Sequence, residues 1–92
     1  MSLPAPTGAS VMATCVARSL SIVVVSYGTV PRATSYDFTV ANPGGGNTKT
    51  TAGTFTKPNA TQGTWTYQIH GLYQVSTGNV WIGQPFTGTV VC

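Results

Sequence analysis

Hydrophobic and polar residues alternate along much of this chain. Thr34 to Ala41 sets Tyr36, Phe38 and Val40 against Asp37 and Thr39, and Thr64 to Tyr73 sets Trp65, Tyr67, Ile69 and Gly71 against Thr66, Gln68 and His70. Ser19 to Tyr27 carries Leu20, Ile22 and Val24 on one parity. A period of two points every second side chain to the same face of an extended strand, so these stretches predict strands with one buried face. Ser10 to Ala17, Thr48 to Thr56 with its one large apolar residue Phe55, and Val80 to Val91, interrupted at Gly83 and Pro85, complete the set. Turn signals separate them: Gly28 to Ala33 with Pro31, Asn42-Pro43-Gly44-Gly45-Gly46-Asn47, Lys57 to Gly63, and Ser76-Thr77-Gly78-Asn79. No run has helical spacing, and Thr, Val and Gly are poor helix formers. The pattern predicts an all-β antiparallel sandwich or barrel over residues 10–92, after a Pro- and Gly-rich linker over residues 1–9.

Length and composition narrow this picture. Ninety-two residues fit one domain and leave no room for two cores. Hydrophobic residues make up 41%, enough for a core, while charged residues make up only 5%, so Thr, Ser, Asn, Gln and Gly must provide the wet surface. Net charge is +3, from Arg18, Arg32, Lys49 and Lys57 against Asp37. Four dispersed cations do not form the basic stripe that phosphate neutralisation requires, which argues against nucleic acid as a partner. The longest wholly aliphatic run, Ile22 to Val25, falls far short of the ~20 residues of a spanning helix, so membrane insertion is not expected. Met1-Ser2-Leu3 has neither the charged start nor the apolar core of a signal peptide. A low-charge, Thr- and Gly-rich surface suits an exported or virion-associated protein.

The order of these segments resembles a divergent fibronectin type III domain. The stretches that carry the resemblance are Pro4-Ala5-Pro6-Thr7 at the start, Ser19-Leu20-Ser21-Ile22 as strand B, and Ala33-Thr34-Ser35-Tyr36-Asp37-Phe38-Thr39-Val40 as strand C. Gly53-Thr54-Phe55-Thr56 resembles strand E, and Gly63-Thr64-Trp65-Thr66-Tyr67-Gln68-Ile69 resembles strand F. The chain departs from the family at three points. Val24 stands where strand B usually carries a Trp, Trp65 stands where a corner Tyr opens strand F, and Asn59 and Ala60 stand where a Leu precedes that corner. The Cys-Trp-Cys spacing of antibody domains is absent. The resemblance implies an immunoglobulin-like, fibronectin type III-like antiparallel β-sandwich of about seven strands.

In that layout the first and last strands run the same way, so Cys15, late in the first, and Cys92, ending the last, should meet at one end. A disulfide between them would clamp the terminal strand and imply an oxidising compartment. The alternative is two free thiols, one in the core and one at a frayed end. Two sulfurs alone do not make a structural zinc site.

Candidate chemistry is sparse. Asp37 is the one acidic side chain and His70 the one histidine, so a carboxylate pair is unavailable and no metal or other cofactor is expected. Gly44-Gly45-Gly46 lies between strands and opens no helix that would cradle phosphate. Asp37 and His70 fall on the outward parity of strands that should be neighbours. With a Ser or Thr they would spell a hydrolase triad, against the plainer reading of a surface cross-strand pair. Tyr27, Tyr73 and Trp81 should gather at the N-terminal end, either capping the core or presenting an aromatic surface to protein or sugar. Asn59-Ala60-Thr61 matches the glycosylation acceptor pattern. These readings together predict a non-catalytic structural or spacer module of a larger extracellular or cell-surface protein, whose partners are its neighbouring domains. The alternatives are a carbohydrate- or protein-binding module using Tyr27, Tyr73 and Trp81, and an accessory domain of a phage tail or capsid.

Overall fold

The computed structural model describes residues 3–50 and 53–92, the side chains of Asn47 and Lys49 excepted. Its strands are β1 (Ser10–Val16), β2 (Ser19–Ser26), β3 (Ser35–Ala41), β4 (Asn47–Thr50), β5 (Thr54–Lys57), β6 (Thr64–Ser76) and β7 (Asn79–Val91). Two antiparallel sheets face each other, one ordered β1-β2-β5 and the other β4-β3-β6-β7. No helix occurs among the described residues.

The inward parity of each strand fills the layer between the sheets. Leu20 and Ile22 of β2 meet Phe38 and Val40 of β3 and Trp65 and Ile69 of β6, and Ala60 completes this fully buried cluster. Phe55 reaches across from β5 to Trp65, with ring centroids 6.0 Å apart. Trp65 is the largest buried side chain, and its indole Nε1 donates to the Thr61 carbonyl at 2.9 Å. A buried Trp thus keeps its one polar atom paired.

Cys15 and Cys92 are joined by a disulfide, with an S–S distance of 2.04 Å and Cα atoms 5.3 Å apart. Cys92 also exchanges two backbone hydrogen bonds with Gly63, at 2.9 and 3.1 Å. At the same end the β1–β2 turn is tied down. The Arg18 carbonyl accepts from the Ala60 N–H at 2.9 Å, and the Arg18 Nε donates to the Ala60 carbonyl at 3.3 Å.

Three features differ from the sequence expectation. Thr48 to Thr56 is not one segment: β4 pairs with β3 in one sheet and β5 with β2 in the other. Thr-rich sequence suits either sheet; Thr51 and Ala52, within that stretch, lie outside the described residues. β6 runs on to Ser76, beyond Tyr73. Within the N-terminal stretch read as a linker, of which Met1 and Ser2 lie outside the described residues, Leu3 is buried, and Thr7 and Thr29 exchange two backbone hydrogen bonds at 3.0 and 2.9 Å.

Candidate docking arm

β6 and β7 are each 13 residues long, nearly twice the length of β3. At ~3.3 Å per residue such a strand spans ~43 Å, matching the 43 Å long axis of the molecule. β3 supports β6 only as far as Leu72, where Ser35 pairs with it and the Thr34 N–H donates to its carbonyl at 2.7 Å. Beyond that point, among the described residues, β6 pairs with β7 alone, and its further tie to the body is the Gln74 N–H, which donates to the Thr34 Oγ1 at 3.0 Å. Leu72 faces Ile82, Tyr73 faces Trp81, Gln74 faces Val80, and Ser76 faces Asn79 around the Thr77-Gly78 turn. Gly78 takes the positive φ of 85° that this turn requires.

The base of this arm is set by two glycines of close approach. A Cβ on Gly71 would lie 2.8–2.9 Å from three side-chain atoms of Val30, and a Cβ on Gly83 would lie 2.7 Å from the Leu3 Cβ. Val30 and Leu3, both buried, therefore seat where β6 and β7 carry no side chain. The Gln84 N–H donates to the Leu3 carbonyl at 3.0 Å, beside the irregular register between His70 and Leu72. Past this anchor the apolar residues are not covered: Val75 is 45% exposed, Val80 44%, Trp81 37% and Ile82 64%. Tyr73 and Trp81 lean on each other with ring centroids 5.7 Å apart, on the face that carries the core lower down. A cross-strand aromatic pair stiffens an otherwise two-stranded ribbon.

Of the three aromatics expected together, Tyr73 and Trp81 are thus direct cross-strand partners. Tyr27 stands apart from that pair. It is half-buried and stacks on Tyr36 at 5.6 Å, and its hydroxyl lies over Gly53. Tyr27 and Tyr36 close the core between the sheets, and the Tyr36 hydroxyl accepts from the Val30 N–H at 3.3 Å. Sequence reasoning missed Val75, Val80 and Ile82 as part of an exposed surface. The signal was available: apolar residues flank the two-residue turn Thr77-Gly78 on both sides with no charge among them.

Asp37 and His70 stand opposite each other in the β3–β6 register, both half-exposed on the outer face. Pro85 is the other cross-strand neighbour of His70. In a hydrolase triad the carboxylate accepts from imidazole Nδ1. Here the Nδ1 of His70 is shielded from solvent and has no hydrogen-bond partner among the described residues. Those residues also contain no group of three His, Cys, Asp or Glu placed to share a metal ion. Asn59 is exposed, at a positive φ of 53° in the loop before β6.

Comparison with protein-family models, with curated proteins and with solved structures found no match to this chain.

Proposed function

We propose that this chain is a non-catalytic structural module with an immunoglobulin-like, fibronectin type III-like arrangement, which uses the β6–β7 arm to seat against a neighbour in a larger assembly. The observation that carries this reading is the arm itself. A stable domain exposes few contiguous apolar residues without a use for them, and here four lie on one ribbon beyond the packed body. The immunoglobulin-like part of the reading rests on strand order. Lettered in that scheme, one sheet is A-B-E and the other adds the short β4 beside strands C, F and G. In the constant-type immunoglobulin layout the fourth short strand joins A, B and E instead, so pairing of β4 with β3 favours the fibronectin-like variant. The Cys15–Cys92 disulfide hints at an oxidising setting, in keeping with an extracellular, cell-surface or virion-borne protein.

Hydrogen exchange tests the reading. The amides of Gln74–Ile82 are expected to exchange fast in the isolated monomer, at concentrations too low for self-association, and at least ten-fold more slowly in the parent assembly. Equal fast exchange in both would overturn it. A second reading, a carbohydrate-binding module, is favoured by the Tyr73–Trp81 pair, since a partly exposed Trp ring is a surface on which a sugar can stack. It predicts saturable quenching of Trp81 fluorescence by an oligosaccharide, absent in Trp81→Ala.

A further inference from the structure

We infer that the neighbour seated on the arm is a second copy of this chain, joined by antiparallel pairing of the free edge of β7 with its own counterpart about a two-fold axis. The inference rests on the reading of the arm as a docking element and names its partner. β7 closes one side of its sheet: among the described residues β6 is the one strand that pairs with it, and β1 lies against it at the disulfide end without pairing. A free strand edge is a template for another strand, and proteins usually guard it with charge, proline or a bulge. The guards on β7 lie at its middle. They are the irregularity beside Gly83, the Gln84 N–H given to Leu3, and Pro85. The segment Asn79–Ile82, on the tip side of these guards, has none.

Charge selects the occupant. From Pro58 to Cys92 the chain contains no Asp, Glu, Lys or Arg, so the whole β6–β7 hairpin lacks a formal charge apart from what His70 can carry. A charged partner would lose hydration on this surface and gain no ion pair in return. The matching surface is an uncharged, apolar strand edge, and a second Asn79–Ile82 is one. Of the two edges of the other sheet, β5 carries the exposed Lys57 and fits less well, and β1, though uncharged, already lies against β7 of its own copy beside the Cys15–Cys92 disulfide.

Register follows from the pleat. Residues opposite each other in an antiparallel pair point to the same face. A two-fold axis normal to the sheet then passes midway between the two copies of one residue. Centred on Trp81, it sets Val80 opposite Ile82 of the second copy on one face and stacks the two Trp81 side chains on the other. Such a contact is isologous and closes as a dimer, and it extends the sheet continuously from one copy to the next.

Sedimentation velocity on the full chain over roughly 1–500 µM tests this. The expected result is a concentration-dependent rise in mass from 9.5 kDa toward twice that value, unchanged between low and high salt because no ion pair is involved. Ile82→Lys, at an exposed position, is expected to weaken self-association at least ten-fold without lowering Tm at concentrations where the wild-type chain is monomeric, and Val80→Lys to do the same. A monomer throughout the range would overturn the inference, as would a dimer indifferent to both lysines or one that dissociates with salt. Failure here is separable from failure of the docking reading. A monomer whose arm is still protected in the parent assembly overturns only the self-pairing, whereas an unprotected arm overturns both.

Discussion

The two ends of this molecule solve the ending of a strand in opposite ways. At the disulfide end β1 and β7 stop where the core stops, and their last residues are tied by Cys15–Cys92 and by the Gly63–Cys92 backbone pair. At the other end β6 and β7 outrun the core and project as a ribbon held by the Tyr73–Trp81 pair and by hydrogen bonds from the Gln74 and Asn79 side chains, with the Thr34 hydroxyl accepting from the Gln74 N–H at its base. The two-residue turns differ in the same sense. Ala17 and Arg18 both hold positive φ, 50° and 64°, without a glycine, and rely on the two bonds between Arg18 and Ala60, one donated by each. The arm tip uses Gly78 and is closed only by its own side chains, Gln74 Nε2 donating to the Ser76 and Asn79 carbonyls and Asn79 Nδ2 to the Ser76 hydroxyl. Strain is tolerated where the surroundings hold the chain, and is avoided where nothing does.

The two tryptophans give the sharpest break between the ends. Trp65→Ala removes the largest core side chain and its hydrogen bond to Thr61. It is expected to cost about 3–5 kcal/mol, read as a fall in the denaturant midpoint in urea unfolding. An effect below ~1 kcal/mol would mean that the core does not depend on that ring.

Opening the clamp comes next. The disulfide closes a loop with a sequence separation of 77, and the double variant Cys15→Ser, Cys92→Ser is expected to lose about 2–4 kcal/mol. Hydrogen exchange should localise the loosening to Val90–Cys92 and leave the arm unchanged. Loosening of the arm as well would show that the two ends are coupled.

Gly71→Ala probes the hinge between body and arm. The added methyl meets the branched carbons of Val30, which has no flexible end to swing away. Overpacking of this kind is expected to cost about 1–3 kcal/mol. The variant should regain part of that loss when Val30 is also cut to Ala, a coupling that a double-mutant cycle measures.

How much of this contrast was legible in the sequence depends on how each residue is constrained. Strict alternation in Thr34–Ala41 and Thr64–Tyr73 was readable because one wrong step would turn Phe38 or Ile69 to water. The meeting of Cys15 and Cys92 followed from strand order. The split of Thr48–Thr56 between sheets was hidden, because Thr is equally at home in either and Phe55 alone could not mark the crossing. The burial of Leu3 was hidden too, since the space it fills is made by Gly83, far along the chain. The arm was only half visible. Gln74-Val75-Ser76 has the mixed polarity of a turn approach, and nothing local says that β3 has already ended. Tyr27 was grouped with Tyr73 and Trp81 by position along the strands, whereas the distance between sheets pairs it with Tyr36.

Truncating the other tryptophan completes the contrast. Trp81→Ala in the isolated chain removes a half-exposed ring and its contact with Tyr73. The expected cost is about 0.5–1.5 kcal/mol, several-fold less than at Trp65. A loss as large as that at Trp65 would mean that the arm folds as part of the core.

The smallest effect should come from the strained turn, and its sign is the informative part. Ala17→Asn keeps a side chain of ordinary flexibility in the unfolded state and replaces a residue that resists positive φ with one that tolerates it. The exposed position leaves room for the longer side chain. Stability is therefore expected to rise by about 0.5 kcal/mol, measurable as a small increase in Tm. Ala17→Gly should gain less, because glycine relieves the same strain but adds freedom to the unfolded chain. If neither substitution raises Tm, the bonds between Arg18 and Ala60 already compensate the strain in full, and the turn belongs to the clamped end as firmly as the disulfide does.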